Sequence, residues 1–398
     1  METINNKKGI NKNQIIAVIL CNLLMVILGM SDSLRGVFSP IFKETFDITN
    51  TRASLIISMS YAGNLVFLFV GGKLLDTFRK KYVMLGTLFL WMSSLLLYYF
   101  TKSYELLLLG MFFSLGASTL LSTSINLITP ILFLSPGLMM NIFNFSQGLG
   151  ICGGQFGAGR FATGFSSWQT FNIIMFAVGI LAAVLICMVK IPDVHTDKAS
   201  KPTTYMSVVK NPAFIWLIFM CGFYYIAEHG LQNWLPTYAS EHLGYSLSES
   251  SFFIGIFYMF TTAGRIVFAF LVNKLGPKKS LFGFAVLFAA LYIIGFGLGK
   301  DGIYIVCAAG LGNSILWPTF VYLIQLYYPS ESRGKAVGLI TGLSTVFDIG
   351  FNAAFGVLSE SIGYSLSIWI IPAAAVLYLV PFGVLSFPLK KKCKMYET

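Results

Sequence analysis

Apolar residues run along this chain in long blocks separated by short polar intervals. Crossing about 30 Å of hydrocarbon as a helix takes roughly 20 residues. Blocks of that length fall near 14–38, 54–75, 82–101, 105–132, 139–162, 168–190, 213–237, 250–272, 280–299, 302–327, 336–357 and 364–386. The pattern predicts an all-α membrane protein with twelve transmembrane helices. The longest polar interval, Ile191 to Pro212, holds Asp193, His195, Asp197, Lys198, Lys201, Pro202 and Lys210. It reads as a cytoplasmic linker (191–212) between two six-helix bundles, 1–190 and 213–398.

The two halves echo one another. Asp32 stands eight residues before Pro40, and Glu228 stands eight residues before Pro236, 196 positions later. Gly72 to Lys81 after the second block corresponds to Ala269 to Lys278 after the eighth at an offset of 197. Two landmarks at nearly one offset point to an internal repeat. Each acid lies inside an apolar run, where a carboxylate is costly and marks a function or a partner. Symmetric repeats around a polar site near the bilayer midplane imply a secondary transporter.

Composition agrees with the pattern. Mean hydropathy is +0.76, with 56% hydrophobic and 11% charged residues, values outside the soluble range. The net charge of +11 is explained by sidedness rather than by nucleic acid. With a cytoplasmic N-terminus, the inner segments carry twenty of the 27 lysines and arginines, while the outer loops carry only Lys43, Arg52, Lys102 and Lys300. That asymmetry puts both termini in the cytoplasm. The remaining three, Arg35, Arg160 and Arg265, lie within the spans. The first block is too long for a signal-peptide core and lacks a cleavage site, so it is expected to stay as helix 1. The six cysteines show no metal-ligand spacing, and no disulfide, metal or cofactor is expected.

The loop after helix 2 resembles the G-x-L-x-D-x-x-G-R-K signature of the major facilitator superfamily. Gly72, Leu74, Asp76, Lys80 and Lys81 carry it, with Arg79 where glycine is usual and Asn273 replacing the acid in the second half. The resemblance covers the whole chain and implies two pseudo-symmetric six-helix bundles around a central cavity. It also implies that Asp76 latches the inner side through the start of helix 11, with Lys80 beside it, at a helix N-terminus that favours negative charge. Gly29 to Phe42, Asn126 and Asn141 to Gly150 resemble the fucose, galactose and glucose proton-symporter branch. That branch places acids in helices 1 and 4; here the helix 1 acid is Asp32, and Ser122 stands in helix 4.

Asp32 and Arg35, three apart, share a helix face and can pair. They form either a self-neutralising pair or a proton or ligand site restrained by the guanidinium. Glu228 has only His229 as a possible cation within a turn, which makes it the better proton carrier or a structural hydrogen-bonding acid. His229 is a relay or a neutral hydrogen-bonding side chain. On the helices that line the cavity in the superfamily, Asn64, Asn126, Asn144, Gln147, Gln232, Asn233 and Asn313 offer neutral donors and acceptors, and Trp234 and Trp317 offer flat faces. Amides beside aromatic planes suit a sugar; the same residues also serve as helix glue or interfacial anchors. Arg160 is a gate or snorkelling residue, and Arg265 and Asp348 can neutralise each other within the second half. The glycine-rich run from Gly148 to Gly159 follows no strand and lacks Gly-Lys-Ser/Thr, so it is a close-packing helix face rather than a nucleotide loop.

The reading is proton-coupled uptake of a small polar solute, a sugar or sugar derivative, by alternating access. An organic anion with Arg35 as its counter-ion and drug efflux are the alternatives, and Na⁺ is an alternative to the proton. A membrane enzyme lacks a suitable constellation, and a sensor would need a larger soluble extension. A monomer in the cytoplasmic membrane of a prokaryote is expected, with the bilayer and a small-molecule substrate as its partners and nucleic acid not among them.

Overall fold

The computed structural model describes residues 11–192 and 205–386, the side chains of Asp76, Asn273 and Ser330 excepted. The first half contributes α1 (Lys12–Phe46), α2 (Asn50–Thr77), α3 (Lys80–Phe100), α4 (Tyr104–Leu132), α5 (Pro136–Phe161) and α6 (Phe165–Met188). The second contributes α7 (Phe214–Thr237), α8 (Leu247–Leu275), α9 (Pro277–Gly297), α10 (Gly299–Leu326), α11 (Arg333–Ser361) and α12 (Tyr364–Ser386). Among the described residues eleven helices are long and apolar enough to cross a membrane. The twelfth expected span, α5, has 26 residues but is broken up by Asn141, Asn144, Gln147, Gln155 and glycines. It packs between α1 and α8, where protein rather than lipid meets its polar face.

Local signals set the boundaries. Asn11 and Gln14 cap the start of α1 reciprocally, and Ser246 and Glu249 do the same for α8. Gly276, at φ 82°, turns the chain from α8 into Pro277 at the first position of α9, an arrangement that needs a residue without Cβ and then one with a fixed φ. Lys81 of the loop signature donates to the carbonyls of Cys187 and Val189 at 2.7 and 2.9 Å. It thereby satisfies the open C-terminal end of α6.

Burial divides the molecule along its sequence. One apolar cluster collects Ala17 to Val189 around α1, and the other collects residues from Val208 to Leu385 around α7, joined by Ile57, Tyr61, Leu115 and Cys152 from the first half. Of the expected linker, residues 193–204 lie outside the described residues. Tyr205–Val209 is a short helix whose Val208 is buried in the second cluster, so this part packs with the second bundle. Large apolar side chains such as Phe69, Phe89, Ile174, Phe282 and Val380 are exposed, as a hydrocarbon solvent permits. The bundles meet along α2 with α11, α5 with α8, and α1 with α7.

Candidate functional site

Between the bundles lies a cavity of about 920 Å³, walled by α5 on one side and by α7, α8 and α10 on the other. It extends from Gln232 to Gly276 and Pro277 in the α8–α9 turn. It therefore opens on the side of the molecule where α1 begins and α12 ends. The far side is closed. There Lys43 Nζ meets Glu241 at 2.6 Å, Thr51 donates through N and Oγ1 to Glu360 at 2.8 Å each, and Tyr364 donates to Asn50 at 2.9 Å. The backbones touch as well: a Cβ on Gly36 would collide with the Gln232 carbonyl, and one on Gly356 with the Ser54 side chain.

Helix geometry explains which α7 residues reach the cavity. Glu228, His229 and Gln232 are within one turn of a common face, and all three line it. Glu228 is buried to 7% exposure, and its carboxylate lies beside the Tyr224 hydroxyl and forms no ion pair with a described residue. His229 Nδ1 lies 2.9 Å from Asp348 Oδ2, with Asp348 fully buried. The ring is stacked between Tyr225 and Tyr61 at centroid distances of 4.7 and 5.6 Å. Because Nδ1 is engaged by the carboxylate, Nε2 is the nitrogen left to the solvated side. Gln232 accepts from Tyr258 at 2.7 Å, and Asn233 donates to Tyr61 at 3.2 Å. Tyr61 and Tyr258 are 197 residues apart, so the repeat supplies one tyrosine to each of two adjacent α7 amides.

The repeat-equivalent acid of the first half has different surroundings. Asp32 accepts from Ser118 of α4 at 2.8 Å and adjoins an enclosed space of about 10 Å³ shared with Arg35 and Ser114, the size of one water. No ion pair links Asp32 to Arg35. The guanidinium of buried Arg35 instead sits 5.2 Å from the centre of the Tyr61 ring, an attractive cation–π geometry.

The structure brings Glu228, His229, Gln232, Asn144, Gln147, Trp317 and Arg265 to one cavity. It places others elsewhere. Trp234 is fully buried and donates to Asn352 at 2.9 Å; two residues past Gln232 is about 200° around the helix, which turns it into the core. Asn313 is buried beside the break in α10 with neither amide atom bonded. Asn64 and Asn126 are half-buried outside the cavity lining. Arg35 is likewise outside that lining and adjoins the small space beside Asp32. Asp348 pairs with His229, not with Arg265. Arg160 is exposed at the far end of α5, and Lys80 is half-buried at the start of α3. The Asp76 and Asn273 side chains lie outside the described residues.

Sequence reasoning missed the far-side closure and the His229–Asp348 pair. One signal for the former was available: Glu241 is 198 residues after Lys43, close to the repeat offset and opposite in charge. Nothing local announces the latter, whose partners are 119 residues apart.

The profile of the Major Facilitator Superfamily matches residues 21–349, and the chain belongs to that superfamily of membrane transporters, which are not enzymes. A putative glucose/galactose transporter of Helicobacter pylori is 27% identical over 166 residues, 41% of this chain and 40% of that protein; the match thus spans about two fifths of that relative's length. The 4-hydroxybenzoate transporter PcaK of Pseudomonas putida is 23% identical over 406 residues, covering 89% and 87% of the two chains. Among solved structures, a bacterial homologue of the human lysosomal transporter Spinster, inward-facing and unoccupied, superposes with a TM-score of 0.79 over 98% of this chain and all of that one, at 14% identity. That likeness is one of fold.

Proposed function

We propose that this protein takes up a small polar solute, a sugar or sugar derivative, together with protons by alternating access of the two bundles. The observation that carries the reading is Glu228, a buried acid in the cavity wall that forms no ion pair with a described residue. Reorienting the cavity buries whatever it contains, and a bare carboxylate enclosed in apolar surroundings costs several kcal/mol. A proton on Glu228 removes that cost and so ties the conformational step to proton binding. Amides of α5 and α7 line the same cavity as Tyr224 and Trp317, and this combination suits hydroxyl rims and C–H faces. In this reading the distribution of lysines and arginines makes the open side cytoplasmic, and the Lys43–Glu241 and Thr51–Glu360 contacts are the outer gate. The His229–Asp348 pair serves as a relay beside the carrier.

The test is uptake of labelled sugars into proteoliposomes with an imposed inward proton gradient. Glu228→Gln is expected to abolish gradient-driven accumulation and to keep gradient-free counterflow, since the fixed neutral side chain imitates the protonated acid. Wild-type accumulation by this variant removes Glu228 as the carrier.

A further inference from the structure

Arg265 is the cation of the cavity that has no anion. It projects from α8 into the cavity wall, opposite Asn144 and Gln147 of α5, and its Nε is buried without a hydrogen-bond partner. Glu241 pairs with Lys43 on the far side, and Asp348 meets the His229 ring at 2.9 Å. The two acids of this half that could answer it are therefore committed or distant: Asp348 is held by His229, and Glu228 lies beyond ion-pair range. An unpaired guanidinium inside a membrane protein is costly and by default marks a ligand site. Its planar fork matches a carboxylate with two parallel N–H···O bonds, a match that the ammonium of lysine cannot reproduce.

We propose that the transported solute carries a carboxylate and that Arg265 is the residue that docks it. The proposal rests on the transport reading given above and specifies its substrate class as a sugar acid. The neutral part of such a molecule has its own partners here, with Asn144 and Gln147 for hydroxyls and the half-buried Trp317 for an apolar face. A volume of about 920 Å³ accommodates a hexose-sized solute with water, within the roughly 300–1,000 Å³ common for ligand pockets. Electrostatics agrees with the pairing. In the transport reading given above, where Glu228 carries the co-transported proton and Asp348 is matched by His229, Arg265 is the remaining net charge of the site, and a monoanion completes it.

The experiment is gradient-free counterflow in proteoliposomes with D-glucuronate and D-glucose, which share a ring and differ in the carboxylate. Thermal unfolding of the detergent-solubilised protein with each compound accompanies it. The wild type is expected to exchange glucuronate at least tenfold faster than glucose and to be stabilised by glucuronate. Arg265→Gln should lose that preference and that stabilisation. Arg265→Lys, which keeps the charge, should raise the half-saturating glucuronate concentration several-fold, and this variant reports if the glutamine variant does not fold. Arg265-dependent exchange of 4-hydroxybenzoate without exchange of either sugar would uphold the carboxylate and end the sugar reading. Exchange of glucose as fast as glucuronate, or a preference that survives in Arg265→Gln, overturns the proposal while leaving uptake itself intact. So does the absence of exchange and of stabilisation with both carboxylates.

Discussion

Asp32 and Glu228 occupy equivalent places in the two repeats, each eight residues before a proline inside its helix, yet their surroundings are opposite. Around Asp32, α4 is continuous from Tyr104 to Leu132 and delivers the Ser118 hydroxyl to the carboxylate. In the second half α10 is interrupted between Asn313 and Leu316. Ile315, 197 residues after Ser118, stands in the cavity wall with no hydroxyl to offer. One acid is thus answered within its bundle, and the other faces the cavity. A duplicated scaffold supplies two similar sites, and their neighbours on the next helix decide which of them is free to do chemistry.

That contrast can be broken most directly by neutralising both acids in separate variants. Asp32→Asn keeps an acceptor for Ser118, so gradient-driven accumulation should survive it, with stability changed by about 1 kcal/mol, the worth of an ordinary hydrogen bond. Glu228→Gln should lose accumulation altogether. Equal loss in the two variants would erase the asymmetry.

A second, smaller effect concerns Asp348, the buried acid of α11. His229→Gln leaves the buried Asp348 carboxylate without the ring that answers it, and removal of one partner from a buried pair costs about 3–5 kcal/mol. Thermal unfolding in detergent should fall accordingly, and the double change His229→Gln with Asp348→Asn should recover most of the loss. A single variant as stable as the wild type would mean that the pair contributes little to holding α7 against α11.

The smallest effect is expected at the far-side closure, where Lys43 and Glu241 are 19% and 30% exposed. Pairs of that kind contribute about 0.2–1 kcal/mol, and 1.4 kcal/mol corresponds to a tenfold ratio. Lys43→Gln should therefore raise far-side opening by at most about fivefold. Maleimide labelling of a cysteine at Ser58, which lies on the face of α2 that meets α11 and donates to the Ile349 carbonyl at 3.2 Å, would read it. Glu241→Gln should act equally, and adding it to Lys43→Gln should change nothing more. Additive effects of the two would show that the residues act separately.

Much of this molecule is legible without coordinates, because a bilayer imposes simple demands on sequence. A helix must hold about 20 apolar residues to cross the hydrocarbon, so the spans and the duplication stand out as blocks and offsets. Even the exception is instructive: α5 falls short in apolarity because it faces protein and cavity, and its amides mark that face. Helical periodicity alone, applied from Glu228 and Gln232, would also have turned Trp234 away from the solute. The partners of the charged groups were decided by tertiary structure. Asp348 and Arg265 share a half, and nothing in their spacing tells that α7 brings His229 to the acid while α8 turns the arginine toward α5. Arg35, three residues from Asp32, finds the Tyr61 ring on another helix instead. Spanning the membrane is a local property of each segment, read from its own residues. Pairing a buried charge depends on which helices lie side by side and how each is rotated about its axis, and only the packed bundle determines that.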